Sequence, residues 1–244
     1  MPKTKVYPIL NILIFLLCLF INFKSATGEL GGKSIRELSD KYSNLFTPSN
    51  QTFAIWSLIY LLLMAVLISQ FSKKFNNPIL NTPVFLFSCI LNFSWILFWQ
   101  FELIGISLLV MIGLLSCLGV INYKLQDQKQ WLLKASFGIY LGWICIATIA
   151  NVTTFLQSIQ MNIDIEIQKI VSIIIIATGT AITTWVMKKI KNPFLSIAAA
   201  WAFYGIYSKR IDDYPSIAYT AIICGVIIVF IGVNLTKKLF KPMP

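Results

Sequence analysis

Apolar residues along this chain fall into eight long runs, each close to the length that a helix needs to cross a lipid bilayer. A helix crosses the hydrocarbon core of roughly 30 Å in about 20 residues. The runs cover residues 7–23, 52–71, 83–100, 103–122, 135–158, 168–187, 194–208 and 216–235. The pattern predicts an all-α integral membrane protein with about eight transmembrane helices.

The longest connecting segment adds one further helix to this prediction. Residues 24–51 form the only long connection, and within it Ser34 and Glu37 fit a capping box, which predicts a helix start. Apolar residues then recur at helical spacing, so we predict an amphipathic helix over about 34–46 that ends before Thr47-Pro48. We expect this helix to act as a lid over the bundle, with Leu38, Tyr42, Phe46 and Pro48 as its contacts. The alternative is a helix that lies in the lipid interface without a partner in the bundle.

The composition excludes a soluble globular protein. Residues of the AVILMFWYC set make up 57% of the 244 positions, charged residues make up only 12%, and the mean hydropathy is +0.78. A soluble domain carries about 25% charge. The chain contains no histidine, which excludes Ser-His-Asp and Cys-His nucleophiles, HExxH zinc sites and His-ligated haem. The five cysteines lie in apolar runs without CxxC spacing, and we predict neither a metal site nor a cofactor.

The net charge of +11 is distributed by topology. When the connections are assigned alternately to two sides, thirteen of the twenty Lys and Arg residues fall on the side of both termini, together with only one acid, Asp127. The positive-inside rule therefore places both termini in the cytoplasm, in what we take to be the cell membrane. We do not expect nucleic-acid binding. The first run, preceded by Lys3 and Lys5, could also be a cleaved secretory signal, but it is long for one and lacks a clear cleavage pattern, so we expect it to be retained.

Three of the predicted helices carry aromatic stripes, and two of these stripes contain an asparagine. An asparagine within a membrane must find a hydrogen-bond partner, so it faces the bundle interior. Converging stripes would form a pocket with flat apolar walls, suited to a porphyrin-like or sterol-like molecule. The alternative is ordinary helix packing, with the asparagines as interhelical hydrogen-bonding residues. The candidate pocket residues are Trp56, Tyr60, Asn92, Trp95, Tyr140, Trp143, Ala147 and Asn151.

Small residues at a spacing of four mark two places where helices can approach closely. They are Gly138 and Gly142 in the fifth run, and Ala198 and Ala202 in the seventh. Such pairs allow close contact either within one chain or in a possible homodimer.

Three motifs resemble those of the TspO/MBR family, the tryptophan-rich sensory proteins related to the mitochondrial translocator protein. They are FTPSNQTFAIWSLIY at residues 46–60, LNFSW at 91–95 and YLGWICIATIAN at 140–151. The resemblance implies a five-helix bundle over residues 1–160, often dimeric, whose pocket binds porphyrins or sterol-like ligands beneath its first loop. Residues 161–244 would add three further helices, to which the resemblance gives no role.

We therefore predict a membrane receptor or carrier for a flat hydrophobic ligand, involved in tetrapyrrole transport or stress sensing, and expect membrane lipid around it. A second hypothesis is a small-solute carrier that works by alternating access, for which interrupted helices at Gly138/Gly142 or Gly179 would be the sign. Ion coupling is disfavoured because no ionisable residue lies at mid-depth in runs two to eight. A third hypothesis is a membrane enzyme that degrades porphyrin, with Trp95 or Trp143 as a redox-active indole, and a fourth is a structural assembly partner.

Overall fold

A computed structural model describes residues 6–42, 44–72, 79–159 and 164–239. Within these ranges the chain forms nine α-helices, one short 3-10 helix and no strand. The helices are α1 (Val6–Ala26), α2 (Ile35–Lys41), α3 (Ile55–Ser69), α4 (Val84–Gln100), α5 (Ile104–Lys124), α6 (Trp131–Ser158), α7 (Ile165–Lys189), α8 (Leu195–Arg210) and α9 (Pro215–Leu239), and the 3-10 helix is Asn50–Ala54. Lys3, Lys5, Lys73, Lys74 and Lys241, which contribute to the predicted orientation, lie outside the described residues.

Six helices are long and apolar enough to cross a membrane, so the predicted all-α, multi-pass membrane protein is confirmed. They are α1, the 3-10 helix continued by α3, α5, α6, α7 and α9. The other two predicted spans are shorter, with 17 residues in α4 and 16 in α8. Boundaries also differ from the sequence prediction. For example, α6 begins at Trp131, four residues early, and the second span opens with the 3-10 turn.

The helix α6 lies at the centre of the bundle. It packs against α3, α5 and α8, while α4 joins α5 to α1, and α9 joins α8 to α7. Every residue of α6 from Leu133 to Ile144 is buried. A helix that is buried on all sides needs apolar or small residues all round, which explains why its sequence shows little amphipathic character.

The predicted close-approach motif on α6 is used within the chain. A methyl group added to Gly142 would lie 2.9 Å from Leu195 Cα, at the start of α8, and still closer to the Leu195 carbonyl oxygen. On α8 itself, Ala198 and Ala202 are fully buried. These small residues are therefore covered by the chain's own helices, and a homodimer would have to use other surfaces.

At the end of the bundle opposite α2, buried polar side chains join the turn between α7 and α8 to α5 and α6. Asn192 Nδ2, in the α7–α8 turn, donates to Asn122 Oδ1 on α5 at 2.8 Å and to the Lys134 carbonyl on α6 at 3.0 Å. The Lys134 ammonium in turn donates to the carbonyls of Gln126, at 2.8 Å, and Lys191, at 3.0 Å. The Lys134 side chain is tolerated at this buried position because carbonyl oxygens accept from its ammonium.

The first helix is part of the packed core. Asn11 on α1 is fully buried, and its amide donates to the Leu80 carbonyl at 2.9 Å. Phe15 and Cys18, one and two turns further on, are buried against the rest of the bundle. In the structure, one face of the first helix therefore belongs to the buried core.

Candidate functional site

The predicted lid helix is present but shorter than expected. Ser34 Oγ accepts from the Glu37 backbone N–H at 3.3 Å, and the Glu37 carboxylate accepts from the Ser34 backbone N–H at 2.6 Å, so the capping box is complete. The helix α2 nevertheless ends at Lys41, although the prediction continued it to residue 46. Asn44 Oδ1 accepts from the Phe46 backbone N–H at 3.0 Å, and this local turn competes with continued helix. Residue 43 lies outside the described part of the chain.

The helix α2 rests on the bundle, contrary to the alternative of a helix without a partner. Leu38 is 1% exposed and packs with Trp99 and Ile104 from the α4–α5 corner. At the same corner, the Glu102 carboxylate accepts from Tyr42 OH at 2.6 Å and pairs with the Lys41 ammonium. Lys33 Nζ lies 3.7 Å from the other carboxylate oxygen of Glu102.

Glu102 sits where a glycine is most common. Its φ of 57° is left-handed, and it closes α4 with the paired bonds of a Schellman motif, Leu103 N–H to Phe98 O at 2.9 Å and Glu102 N–H to Trp99 O at 3.0 Å. A side chain in this conformation is strained and persists where other contacts hold it. The three contacts to Lys33, Lys41 and Tyr42 identify Glu102 as an anchor for α2.

Acid is expected to loosen α2 through Glu102. The hydrogen bonds from Lys41 and Tyr42, and the charges of Lys41 and Lys33, hold the pKa of this carboxyl below its ordinary value of 4.5. A lowered pKa means that the stabilisation is complete above pH 4.5 and is lost as the pH falls through the folded-state value. We expect the α2 amides to exchange hydrogen about two- to fivefold faster at pH 3 than at pH 6, after correction for intrinsic rates.

The capping carboxylate supplies the comparison for this experiment. The pKa of Glu37 is also lowered, mainly because its carboxylate accepts a hydrogen bond from the Ser34 backbone. Part of the acid effect therefore belongs to the helix cap. In Glu37→Gln, the acid effect on α2 exchange that remains should be the contribution of Glu102. In Glu102→Gln, that contribution should be lost. An acid effect of unchanged size in Glu102→Gln would show that Glu102 is not the anchor.

Residues 44–52, which we call the strap, continue from α2 to the 3-10 helix and are fastened to α8. Ser49 N–H donates to Gly205 O at 3.0 Å, and Trp201 Nε1 donates to Thr52 O at 2.9 Å. The Arg210 guanidinium is buried and donates to the carbonyls of Leu45, at 3.2 Å, and Asn44. A methyl group added to Gly205 would lie 2.8 Å from Thr52 Cγ2, so the strap approaches α8 as closely as a glycine allows.

A small aromatic cavity lies beneath α2 and the strap, which together we call the lid. The lid contributes Ile35, Ser39, Thr47 and Pro48, and the bundle contributes Phe53, Trp56, Trp95, Trp99, Trp143, Ile146, Ala147, Ala150, Asn151 and Thr154. Trp56 stands at the centre of the rings, stacked on Trp95 at 6.0 Å between centroids and edge-on to Trp143 at 6.3 Å. The predicted convergence of three aromatic stripes is thus what the structure shows.

The structure separates the candidate residues into two groups. Trp56, Trp95, Trp143, Ala147, Asn151 and the lid residue Pro48 line the aromatic cavity. Tyr60, Asn92 and Tyr140 lie beside it in a hydrogen-bonded network instead. Among the remaining lid residues, Leu38 and Tyr42 contact the α4–α5 corner, and Phe46 is buried in the main core. Their role in ligand binding stays a prediction.

Asn92 is the hub of the neighbouring polar network. Its Oδ1 accepts from Asn22 Nδ2 and from the Cys18 thiol, each at 3.1 Å, and its Nδ2 donates to Tyr140 OH at 2.8 Å. Tyr60 OH donates its proton to Asn22 Oδ1 at 2.6 Å, and its oxygen lies 3.2 Å from Asn92 Oδ1. The network links α1, α3, α4 and α6, which is the interhelical hydrogen bonding that the packing interpretation of the stripes predicts for Asn92.

Two indole N–H groups at the cavity have no acceptor. Trp99 is 5% exposed and Trp143 is 3% exposed, and neither Nε1 has a hydrogen-bond partner among the described residues. Trp95 Nε1, by contrast, donates to Asn151 Oδ1 at 3.2 Å. A buried donor without a partner is costly. Two of the residues that line the cavity therefore carry an indole donor whose hydrogen-bonding capacity is unused.

Sequence reasoning missed several lining residues. Trp99 lies four residues after Trp95 on the same stripe, and it was left out of the candidate pocket residues although helical spacing placed it beside them. Phe53 lies in the 3-10 helix and Thr47 lies in the strap, and the path of neither segment follows from hydrophobic periodicity.

The cavity is nearly closed in this conformation. It encloses about 40 Å³, enough for a few water molecules. Pockets for drug-sized ligands are roughly 300–1,000 Å³. A flat ring would enter only after the lid or the tryptophans move. The helices α6 and α7 run unbroken through Gly138, Gly142 and Gly179, so the interrupted helices expected of an alternating-access carrier are not found there.

One comparison with known proteins gives a match. A family model described as TSPO-like protein matches residues 8–234, a range that runs through both the first five predicted spans and the last three. No curated protein and no solved structure matches the chain.

Proposed function

This chain belongs to the TSPO-like protein family, and from that premise we propose that it is a membrane receptor or carrier that binds a flat hydrophobic ligand in the aromatic cavity. The ligand class is porphyrin-like or sterol-like, and the physiological role is tetrapyrrole transport or stress sensing. Indole rings offer such a ligand large, rigid apolar faces that lose little conformational freedom on binding.

The observation that carries this proposal is the pair of buried indole donors on Trp99 and Trp143. Buried polar groups nearly always find partners, so two unpaired indole donors on residues that line one cavity favour an occupant that accepts from them. The two N–H groups favour a ligand whose ring bears acceptors, such as carboxylates or carbonyls. The surrounding rings of Trp56 and Trp95 would stack on its faces.

The lid would control access to the cavity. Ile35 and Ser39 come from α2, and Thr47 and Pro48 come from the strap, so both parts of the lid lie against the enclosed space. The anchors at Glu102 and Arg210 then determine how often it opens.

Removal of either indole donor is expected to weaken ligand binding. Protoporphyrin IX is titrated into the detergent-purified protein and followed by the ligand's own visible absorbance, which does not depend on how many tryptophans remain. Trp143→Phe and Trp99→Phe keep an aromatic wall but remove the N–H. Loss of one hydrogen bond to a charged acceptor is worth about 1.5 kcal/mol, so we expect Kd to rise roughly tenfold in each variant.

Trp185→Phe is the matched control, because this indole on α7 is 65% exposed and does not line the cavity. Its Kd should equal that of the wild type. Absence of saturable binding, or equal losses in Trp185→Phe and Trp143→Phe, would overturn the proposal and favour the packing interpretation of the stripes.

We also propose that the end of the bundle opposite α2 faces the cytoplasm, in the cell membrane. The described cations that support this orientation include Lys124, Lys188 and Lys189 at the ends of α5 and α7. Excess Lys and Arg in short connections is typical of the cytoplasmic side. The lid would then face away from the cytoplasm.

A further inference from the structure

A second cavity opens between α1 and α3, outside the aromatic cavity. It has a volume of about 310 Å³, within the range of small-ligand sites. The helix α1 packs mainly along α4 and touches α3 only lightly, which leaves the cleft between them. Its walls are formed by Leu19, Asn22, Phe23, Ser25 and Ala26 of α1, Ile35 and Arg36 of α2, and Phe53, Ala54, Trp56, Ser57 and Tyr60 of the segment leading into α3.

The cleft is amphipathic along its length. Arg36 lies at the α2 end and is exposed, and no described residue forms an ion pair or hydrogen bond with it. From Ala26 to Leu19 the α1 wall is about 10 Å long, at 1.5 Å per residue. Large apolar side chains, Phe23 and Phe53 among them, line the walls below the cation. The charge is permanent, because a guanidinium stays protonated in proteins.

Polar groups continue on the cleft walls inside the membrane. Asn22 and Tyr60 are only partly buried and line the cleft, so the residues of the Asn92 network form part of its wall. Ser57 is exposed on the α3 wall. A hydroxyl exposed to hydrocarbon is unfavourable, so Ser57 favours an occupant with some polarity near its head.

We propose that this cleft binds an amphiphile with a single anionic headgroup, held by Arg36, with its apolar body between α1 and α3. An unpaired cation above an apolar cleft matches that charge distribution. A neutral lipid offers the guanidinium no counter-charge, and a zwitterionic lipid brings a second cation together with its phosphate. The site is separate from the aromatic cavity, although the two share the walls at Ile35, Phe53 and Trp56. An occupant of the cleft would therefore contact the lid and the central indole from outside.

Photolabelling of the full-length protein in phosphatidylcholine nanodiscs tests this site. A diazirine-bearing fatty acid and the corresponding fatty alcohol are compared, and the labelled peptides are mapped by mass spectrometry. We expect the acid to label residues 19–26 and 53–60, competed by excess oleate, with about fivefold less labelling by the alcohol. Arg36→Gln should lower labelling by the acid to the level of the alcohol, and Arg36→Lys should largely preserve it.

Lys33→Gln is the matched control, since this neighbouring cation contacts Glu102 and does not line the cleft. Equal labelling by acid and alcohol, an Arg36→Gln variant that labels like the wild type, or an equal loss in Lys33→Gln would overturn the proposal. A second arm compares photoactivatable phosphatidylglycerol with phosphatidylcholine and identifies whether a phospholipid or a free fatty acid supplies the anion. Trp143→Phe should leave cleft labelling unchanged, so failure of the aromatic site is distinguishable from failure of this one.

Discussion

Gly142→Ala is expected to destabilise the protein by about 3 kcal/mol, at the upper end of overpacking effects. The added methyl group would meet the backbone of Leu195, 2.9 Å from Cα and 3.1 Å from the carbonyl carbon, where ordinary contact begins at 3.4 Å. A backbone cannot rotate away as a side chain can, so α8 would have to move off α6. The free energy of unfolding, measured by titration from maltoside into dodecyl sulfate micelles, gives the effect.

Gly119→Ala on α5 separates this clash from the general effect of alanine in a helix. No atom lies within 4 Å of the position its methyl group would take, so only the gain in helix propensity remains, up to about 1 kcal/mol. We expect Gly119→Ala to be neutral or stabilising. Unfolding of Gly142→Ala at the wild-type midpoint would mean that α8 does not pack on α6 at this distance.

Arg210→Met is expected to release the strap while leaving the bundle folded. The methionine keeps the apolar stem but leaves the buried carbonyls of Asn44 and Leu45 without their donor. Hydrogen bonds to a charged group are worth roughly 1.5–3 kcal/mol each, so local opening of the strap should become about a hundredfold more frequent. Hydrogen exchange of the Ser49 amide, which bonds Gly205 O, reports this opening directly.

The neighbouring cation provides the control for this experiment. Lys209 forms a more exposed pair with Asp40 at 3.3 Å, and such pairs contribute less than about 1 kcal/mol. Lys209→Met should therefore change exchange in the strap less than fivefold, and amides in α9 should be unaffected in both variants. Wild-type protection of Ser49 in Arg210→Met would show that the strap is held elsewhere.

The sequence was sufficient to predict the helices and the convergence of the aromatic residues. Trp56, Trp95 and Trp143 recur at offsets of three and four with other large or polar residues, and membrane helices of known length can be placed from apolar runs alone. The capping box at Ser34 and Glu37 was equally readable, because both of its bonds are local. The sequence did not predict which candidate residues line the cavity and which join the Asn92 network, since this depends on the rotation of each helix against its neighbours.

The anchors of the lid left little signal in the sequence. Arg210 stands in the run Lys-Arg-Ile-Asp-Asp, which is typical of a charged turn, and its partners are backbone carbonyls that any residue supplies. Glu102 occupies a left-handed position that sequence rules assign to glycine. The role of α8 was missed for the same reason, because its contacts to the strap run through Gly205, Thr52 and main-chain groups.

The placement of charge in the bundle has a consequence for how the protein responds to voltage. Among the described residues, the only buried cations are Lys134 and Arg210, each near one end of the bundle and bound to carbonyls, and no carboxylate is buried. Moving one elementary charge across the membrane involves about 2.3 kcal/mol per 100 mV. If the lid opens as proposed, it would carry none of the described buried charges through the hydrocarbon, and the membrane potential would do no work on that movement. Any voltage dependence of uptake or release would then measure the charge of the ligand itself.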